Sequence, residues 1–412
     1  MLGRRTFCTL AAGALATPRS AWGQAMTSPT FFYVSLGPAL RLYRIDADAA
    51  TLSPQGTVTV PEKIQYAWPH PSAPFLYVAS SNGGSALAGV KGDAHYLSAL
   101  RIDKASGELE AHGASVALRA RPIHVTVDRT GAFALTAYNN PSSVSVHRIK
   151  ADGAIGEEVA QTASLDCGIF AHQIRVTPGN DAAILVCRGN DKAKEKPEYP
   201  GSLKFFAFKD GQLENRVSAA PDGGYGFGPR HLDFHPTLPF VYVSRERENK
   251  LNVYRISNVV LDPRAIFVKD TLADPNNIRS RQAACTLHVH PNGRFVYLAN
   301  RAFDTVKIDG KDVFPGGENN IAVFAIDQDR RAGADPERGC PRRLSQNLRA
   351  RPERAYAGRH KCRTKTDARR RWREKHSRQT SRPIGSAPTA GSPSPTATTS
   401  KPAVNCSSGA EW

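Results

Sequence analysis

The sequence predicts an all-β fold, namely a seven-bladed β-propeller whose last blade is lost or incomplete, followed by a disordered C-terminal tail. Three observations predict it. A unit of short strands recurs about every 55 residues, as propeller blades do. The apolar residues of these strands alternate at period two, and no long stretch shows the 3.6-residue apolar period of a helix. The repeat stops abruptly after Ile326.

The repeating unit has two short strands joined by a tight turn, and then a third strand. The turn residues are 58, 49, 58 and 55 positions apart, at Pro71, Arg129, Pro178, Pro236 and Pro291. First strands direct alternate residues inward, as in the pairs Val125/Val127, Ile174/Val176, Leu232/Phe234 and Leu287/Val289. Second strands are predicted to begin near Phe31, Phe75, Phe133, Ile184, Phe240 and Phe295. The first repeat lacks its own first strand, which propellers often supply from the other terminus.

Residues 329–412 form a tail rich in Arg, Pro, Ser, Ala and Thr. This composition cannot bury enough apolar surface to fold, so the tail is predicted to be disordered. A permitted back-translation of residues 351–362, read one base later, gives Asp-Pro-Ser-Gly-Arg-Thr-Leu-Val-Val-Thr-Ser. That string resembles the turn and second strand of a further blade, and Pro352 lies 61 positions after Pro291. We therefore hypothesise that a frameshift near residues 327–333 removed the seventh blade.

Residues 1–25 have the features of an export signal. The sequence RRTF at positions 4–7 resembles the twin-arginine signal, and a short apolar stretch and small residues follow it. A periplasmic location is therefore expected, with a general secretory signal as the alternative because Cys8 departs from the twin-arginine pattern. The apolar stretch is too short to span a bilayer, so no stable membrane anchor is expected.

The net charge of +18 does not indicate a nucleic-acid partner, because most of it lies at the two ends of the chain. Residues 329–412 contain 20 Lys and Arg against 7 Asp and Glu, and residues 1–25 contain three arginines and no acid. The body, residues 26–328, therefore has 32 basic against 30 acidic residues and is nearly neutral. We expect this body to be the propeller, to bind a small molecule, and to be a monomer.

The cysteines and histidines of the body do not form a metal-ligand pattern. Cys167, Cys187 and Cys285 are dispersed, and we expect them to be small buried hydrophobic residues, although Cys167 and Cys187 could pair in an exported protein. His288 and His290 lie two apart on a strand, but His290 belongs to a His-Pro turn that recurs along the chain, which favours a role in the turn. No metal and no cofactor are expected.

Counting along the repeat places a set of polar residues at one mouth of the central channel. The start of each first strand and the end of each second strand lie at the same mouth, because the two strands are antiparallel. Six positions before the turns stand Gln65, Ile123, His172, Arg230 and Cys285, and ten positions after them stand Ser81, Asn139, Arg188, Glu246 and Arg301. Arginines there can bind an anion or an oxyanion, and Glu246 or His172 can act as a general base.

The chain contains the motifs GPRH at positions 228–231, FHP at 234–236, FVYV at 240–243, and HPNGRFVY at 290–297 with Asn300-Arg301. These motifs resemble those of the seven-bladed lactonase family. This family includes bacterial 6-phosphogluconolactonases and fungal carboxymuconate lactonising enzymes. The resemblance implies a site formed by His172, Arg230, Glu246 and Arg301. Arg188, His231 and Asn139 are expected to contact the substrate.

The chain departs from the family pattern at a few positions. Arg245 stands before Glu246 where the family commonly has Asn, and Cys285 and Thr286 replace an acidic or apolar pair. An exported enzyme would rarely meet 6-phosphogluconolactone, which is a cytosolic metabolite. The resemblance therefore implies a hydrolase that opens a sugar-derived or related carboxylate lactone. The alternatives are a non-catalytic propeller that binds a ligand or a protein, and an inactive, truncated lactonase homologue.

Overall fold

The computed structural model describes residues 29–84, 92–193, 195–257 and 260–326, and the backbone of residues 344 and 345. These residues form β-strands and turns, with one short 3-10 helix at Pro221–Gly224, so the all-β prediction is confirmed. No helix in this part of the chain is long and apolar enough to cross a membrane. The expected export signal, the hypothesised frameshift and the rest of the tail lie outside the described residues.

The described strands form six antiparallel sheets in chain order, one for each blade, and one separate two-stranded hairpin. Blade 1 contains β1 (Thr30–Leu36), β2 (Ala39–Asp46) and β3 (Thr51–Thr59), which pair in this order. Among the described strands only β2 pairs with β1, so blade 1 has no strand inside β1. This confirms the prediction that the first repeat lacks its first strand.

Blades 2 and 3 each begin with a complete hairpin of the predicted kind. Blade 2 contains β4 (Ile64–Pro69), β5 (Phe75–Ser81), β6 (His95–Ile102), β7 (Leu109–Ala111) and β8 (Val116–Ala117). Blade 3 contains β9 (Pro122–Val127), β10 (Phe133–Asn139), β11 (Ser142–Ile149) and β12 (Ile155–Glu158). In both blades the sheet order follows the chain from the first strand outward, apart from β8, which pairs with β6.

Blades 4 to 6 have the same design. Blade 4 contains β13 (Ala171–Val176), β14 (Ala182–Cys187), β15 (Ser202–Lys209) and β16 (Gln212–Ala219). Blade 5 contains β17 (Pro229–Phe234), β18 (Phe240–Arg245), β19 (Lys250–Ser257), β20 (Val260–Leu261) and β21 (Phe267–Asp270). Blade 6 contains β22 (Gln282–Val289), β23 (Phe295–Ala302), the separate hairpin β24 (Val306–Ile308) and β25 (Lys311–Val313), then β26 (Asn320–Ile326) and β27 (Leu344–Ser345).

The hydrophobic core lies between the blades. Five apolar clusters fill the five interfaces between successive blades, with central members Leu40 and Leu76, Tyr77 and Val125, Leu135 and Ile174, Phe205 and Leu232, and Tyr242 and Leu287. The alternating pairs predicted to face inward all belong to these clusters. Because β-strand side chains alternate between faces, the sheets of blades 2 to 5 each pack against both of their neighbours.

Successive first strands contact one another around the channel. β4 contacts β9, β9 contacts β13, β13 contacts β17, and β17 contacts β22. These five strands therefore form the inner wall, and their polar side chains share the central channel. The site described below depends on this arrangement.

The recurring His-Pro turns are held by their histidine rings. Nδ1 of His70 accepts a hydrogen bond from the amide of Ala73 at 2.9 Å, and Nδ1 of His235 accepts one from the amide of Leu238 at 2.9 Å. Nδ1 of His290 likewise accepts a hydrogen bond from the amide of Asn292 at 3.1 Å. The sequence-based prediction that His290 serves its turn is confirmed.

The three cysteines of the body are free thiols. Cys187 and Cys285 are buried, as expected, and Cys167 is partly buried. The alternative of a disulfide between Cys167 and Cys187 is wrong in this structure, where the Cys187 thiol instead donates a hydrogen bond to the Cys167 carbonyl at 3.1 Å. Burial raises the pKa of Cys167 to about 11, which keeps this thiol protonated at neutral pH.

Candidate active site

One end of the channel, here named the arginine mouth, lies where the first strands begin and the second strands end. Pro229 pairs with Arg245 across blade 5, and Ala283 pairs with Arg301 across blade 6. This register places Arg230 beside Glu246 and brings Arg301 to the same end. The count along the repeat predicted this meeting.

Each first strand contains a β-bulge at the arginine mouth. The pairing with the second strand skips Gln65, Ile123 and His172 in blades 2 to 4, and it skips a dipeptide in each of the next two blades, Arg230-His231 and Cys285-Thr286. A bulge bends the strand and redirects the side chain of the unpaired residue. The bulges therefore occur at the positions that the repeat count selected, and they redirect the side chains of His172, Arg230 and His231.

Glu246 lies at the centre of three arginines. Its Oε1 accepts hydrogen bonds from Nη1 of Arg230 at 3.2 Å and from Nη2 of Arg301 at 2.8 Å. Its Oε2 accepts a hydrogen bond from Nε of Arg188. The side chains of Glu246 and Arg230 are 7% and 9% exposed, whereas that of Arg301 is 37% exposed. The cluster is thus a buried carboxylate with one arginine partner that still reaches solvent.

The charge state of Glu246 follows from these neighbours. Burial alone would raise the pKa of its carboxyl, but Arg230, Arg188 and Arg301 outweigh burial and hold the pKa at about 2. Glu246 is therefore ionised at any physiological pH. The three guanidinium groups in turn have a carboxylate partner without which they would be like charges in a confined space.

The stability of the protein should depend on this carboxylate in acid. The pKa of Glu246 is about 2 in the folded chain against an ordinary value of 4.5. A lowered carboxyl pKa contributes stability that is complete above pH 4.5 and is lost as the pH falls towards 2, here about 3 kcal/mol. We expect urea unfolding at a series of pH values to show this loss in the unmodified protein. The slope should be smaller in Glu246→Gln; equal slopes would contradict the assignment.

Two histidines lie just inside the arginine cluster. The rings of His172 and His231 are 5.0 Å apart, centroid to centroid, and Nδ1 of His231 is 2.8 Å from the hydroxyl of Thr286. Burial, followed by the charge of Arg230, lowers the pKa of both rings well below the ordinary value, so both are neutral at neutral pH. Nδ1 of His172 is buried and has no hydrogen-bond partner in the described part of the chain. It can therefore interact with a bound molecule or water.

A loop of blade 4 braces the outer side of the cluster. Arg188 also donates to Asp191 at 2.7 Å, and Asp191 is paired with Arg247 at 2.5 Å. Arg247 in turn contacts Glu198, which accepts the amide of Gly226 at 2.7 Å. The glycine-rich segment 223–228 is thus tied to the same network.

The structure brings together most of the residues that the sequence selected. Arg188, Arg230, Glu246 and Arg301 form the cluster, and His172 and His231 adjoin it. Asn139 ends β10 and is buried, but within the described residues it has no hydrogen bond to any of them. Its expected contact with substrate stays a prediction.

Sequence reasoning missed two contributors to the cluster. Asp191 lies in the loop between β14 and β15, and the corresponding loops of the other blades differ in length and sequence, so counting could not find it. The count did place Cys285 at this mouth but gave it no role, and here its sulfur accepts a hydrogen bond from Nη1 of Arg230 at 3.4 Å. No group of three His, Cys, Asp or Glu side chains in the described chain is arranged to hold a metal ion.

Comparison with known families identifies the fold. The family model described as "Lactonase, 7-bladed beta-propeller" matches residues 32–344. The chain belongs to the lactonase family of seven-bladed β-propellers. The six sheets of the described residues therefore correspond to six of the seven blades of a lactonase.

Curated relatives of this chain are 6-phosphogluconolactonases. The chain is 29% identical over 252 residues to that of Pectobacterium carotovorum, a match that covers 61% of this chain and 68% of the relative. It is 30% identical over 241 residues to that of Bacillus subtilis, which covers 56% and 65% of the two chains. The chain thus spans about two thirds of the length of these relatives.

Solved structures share the fold of this chain. A periplasmic gluconolactonase from Pseudomonas aeruginosa superposes with a TM-score of 0.53 at 22% identity, over 72% of this chain and 80% of its own. A putative 6-phosphogluconolactonase from Bacteroides uniformis gives a TM-score of 0.55 at 19% identity, over 74% and 80% of the chains. At such identities the match establishes the architecture alone.

Proposed function

We propose that this protein is an exported hydrolase that opens a sugar-derived or related carboxylate lactone at the arginine mouth. The observation that carries the proposal is the buried, ionised Glu246 bound by three arginines, next to two neutral histidines. The family relation supports the lactone as substrate class. The RRTF sequence at positions 4–7 supports export, which would bring the protein into contact with free lactones rather than with cytosolic phosphosugars.

The arginines supply the binding and the electrostatic stabilisation. Arg301 is the most exposed of the three, so its guanidinium is best placed to meet the carbonyl oxygen or an anionic group of the substrate. When water adds to the lactone carbonyl, negative charge develops on that oxygen, and a fixed guanidinium stabilises it. Arg230 and Arg188 lie behind and hold the carboxylate of Glu246 in place.

Glu246 and His172 handle the proton of the attacking water. At rest Glu246 is a weak base, because three arginines stabilise its charge. As the reaction proceeds, Arg301 interacts increasingly with the oxyanion and stabilises the charge of Glu246 less. The carboxylate of Glu246 therefore becomes a stronger proton acceptor. The unpartnered Nδ1 of the neutral His172 is suited to orient the water. The ring C–O bond then breaks, and the leaving alkoxide takes up the proton.

Kinetics of Arg301 and His172 variants test the proposal. In a pH-drop assay of the purified chain with a panel of aldonolactones, Arg301→Ala should lower kcat about 10²–10³-fold, since one oxyanion donor is worth that much. Arg301→Lys should retain part of the rate, and His172→Ala should lower kcat more than it raises KM. Arg255→Ala, an arginine that stacks on Phe240 away from this mouth, is the control and should leave both constants unchanged.

Two outcomes would contradict the proposal. Equal turnover in Arg301→Ala and the unmodified chain would place the chemistry elsewhere. Saturable binding of a lactone without any turnover would favour the non-catalytic, ligand-binding propeller.

A further inference from the structure

A cavity lies at the other end of the central channel, here named the turn mouth. It measures about 210 Å³ and is lined by Trp68, Thr126, Arg129 and Arg175 among others. Three of these residues stand at the ends of β4, β9 and β13, whereas the arginine mouth lies at the beginnings of the first strands. Along β13, Arg175 is three residues from His172, or about 10 Å. The turn mouth is therefore separate from the arginine mouth, although both belong to one channel.

Arg175 is a buried residue that lines this cavity. It is 6% exposed, and its guanidinium stacks on the Trp68 ring at 4.4 Å. Its Nη2 donates to Oδ1 of Asp233 at 2.9 Å, and its Nη1 donates to the Leu232 carbonyl at 3.4 Å. Within the described chain its Nε takes part in no hydrogen bond. A desolvated guanidinium with a donor to spare is a strong binder of oxyanions.

Arg129 brings a second positive charge to the same cavity. It follows β9 at the turn, where its amide donates to Asn180 at 2.7 Å. No carboxylate of the described residues forms an ion pair with its guanidinium. Burial, together with the charge of Arg175, lowers the pKa of Arg129, as expected when two cations share one region. The carboxylate of Asp233 pairs with Arg175 and also acts on Arg129 from a greater distance, so two arginines share one carboxylate and the cavity has an excess of positive charge.

We propose that the turn mouth is a second binding site, which takes a small oxyanion between Arg129 and Arg175 against the face of Trp68. A volume of about 210 Å³ admits a phosphate, a sulfate or a short carboxylate. It is smaller than the roughly 300–1,000 Å³ of sites for larger ligands. The two guanidinium groups supply paired donors, and Thr126 lines the same wall.

Trp68 reports directly on this site. The other tryptophans of the chain are Trp22, Trp372 and Trp412, so a full-length variant with all three replaced by Phe isolates the emission of Trp68. We expect saturable changes in that emission when inorganic phosphate is added at constant ionic strength, up to about 50 mM. Sulfate and acetate, titrated in the same way, distinguish a doubly charged tetrahedral anion from a carboxylate. A saturable response to any of the three supports the site.

Three further substitutions in this background locate the binding. Arg129→Gln should raise the dissociation constant at least about tenfold, since a charge-assisted hydrogen bond is lost. Arg294→Gln, at the exposed turn of blade 6, is the matched control and should change it less than about twofold. Arg301→Gln, at the arginine mouth, should also leave it unchanged. The proposal is overturned by the lack of a saturable response, by equal effects of Arg129→Gln and Arg294→Gln, or by a response lost only in Arg301→Gln.

Discussion

Replacing Glu246 with Gln is expected to lower kcat for lactone opening about 10²–10⁴-fold, the range that a positioned general base contributes. The substitution keeps the size of the side chain but removes the charge that holds Arg188, Arg230 and Arg301 together. Both the proton acceptor and the geometry of the oxyanion donors are then lost. Steady-state kinetics with the preferred aldonolactone measure the effect, and KM should change less than kcat.

The matched control is Glu248→Gln, two residues further along the same segment. Glu248 pairs with Arg245 at 2.6 Å and is partly exposed, and it makes no contact with the cluster within the described residues. Its replacement should leave kcat within about twofold, since the carboxylate that is lost is bound to Arg245 and not to the cluster. If Glu246→Gln and Glu248→Gln had the same kcat, Glu246 would have no part in the reaction.

The sequence predicted the blades because their periodicity is a local property. The turn residues, Pro71, Pro236 and Pro291 among them, recur at a nearly constant spacing, and their positions predict where the strands on either side begin and end. Antiparallel pairing then required that Arg230 and Glu246 meet, which the register confirms. The resemblance to the lactonase family selected the same residues independently.

The electrostatics of the site could not be predicted in this way. Counting placed Glu246 among arginines but did not show that both of its oxygens are occupied by them, which determines its pKa. Asp191 was missed because its loop lies outside the repeat. The bulges were missed as well, since an extra residue leaves no mark in an alternating apolar pattern.

A buried ion pair, between Arg175 and Asp233, adjoins the turn mouth. The carboxylate of Asp233 joins three blades. It accepts hydrogen bonds from Nη2 of Arg175 in blade 4, from the amide of Phe234 in blade 5, and from the amide of Val289 in blade 6 at 2.9 Å. Removal of one partner leaves the other as a buried, uncompensated charge, which typically costs about 3–5 kcal/mol. Asp233→Ala should therefore lower the free energy of unfolding by about that amount, measured by urea denaturation.

The double variant Asp233→Ala with Arg175→Met distinguishes two causes of the lost stability. One is the buried charge of Arg175 left without its partner, and the other is the loss of the hydrogen bonds by which Asp233 joins the blades. Met is of similar length and apolar, and replacement of a buried pair by apolar groups is often nearly neutral. We expect the double variant to regain more than half of the stability lost in Asp233→Ala, with the remainder due to the Val289 amide left without its acceptor. Glu110→Ala, in the exposed pair with Arg101, should cost less than about 1 kcal/mol. If Asp233→Ala cost no more than Glu110→Ala, the buried pair would contribute nothing to holding blades 4, 5 and 6 together.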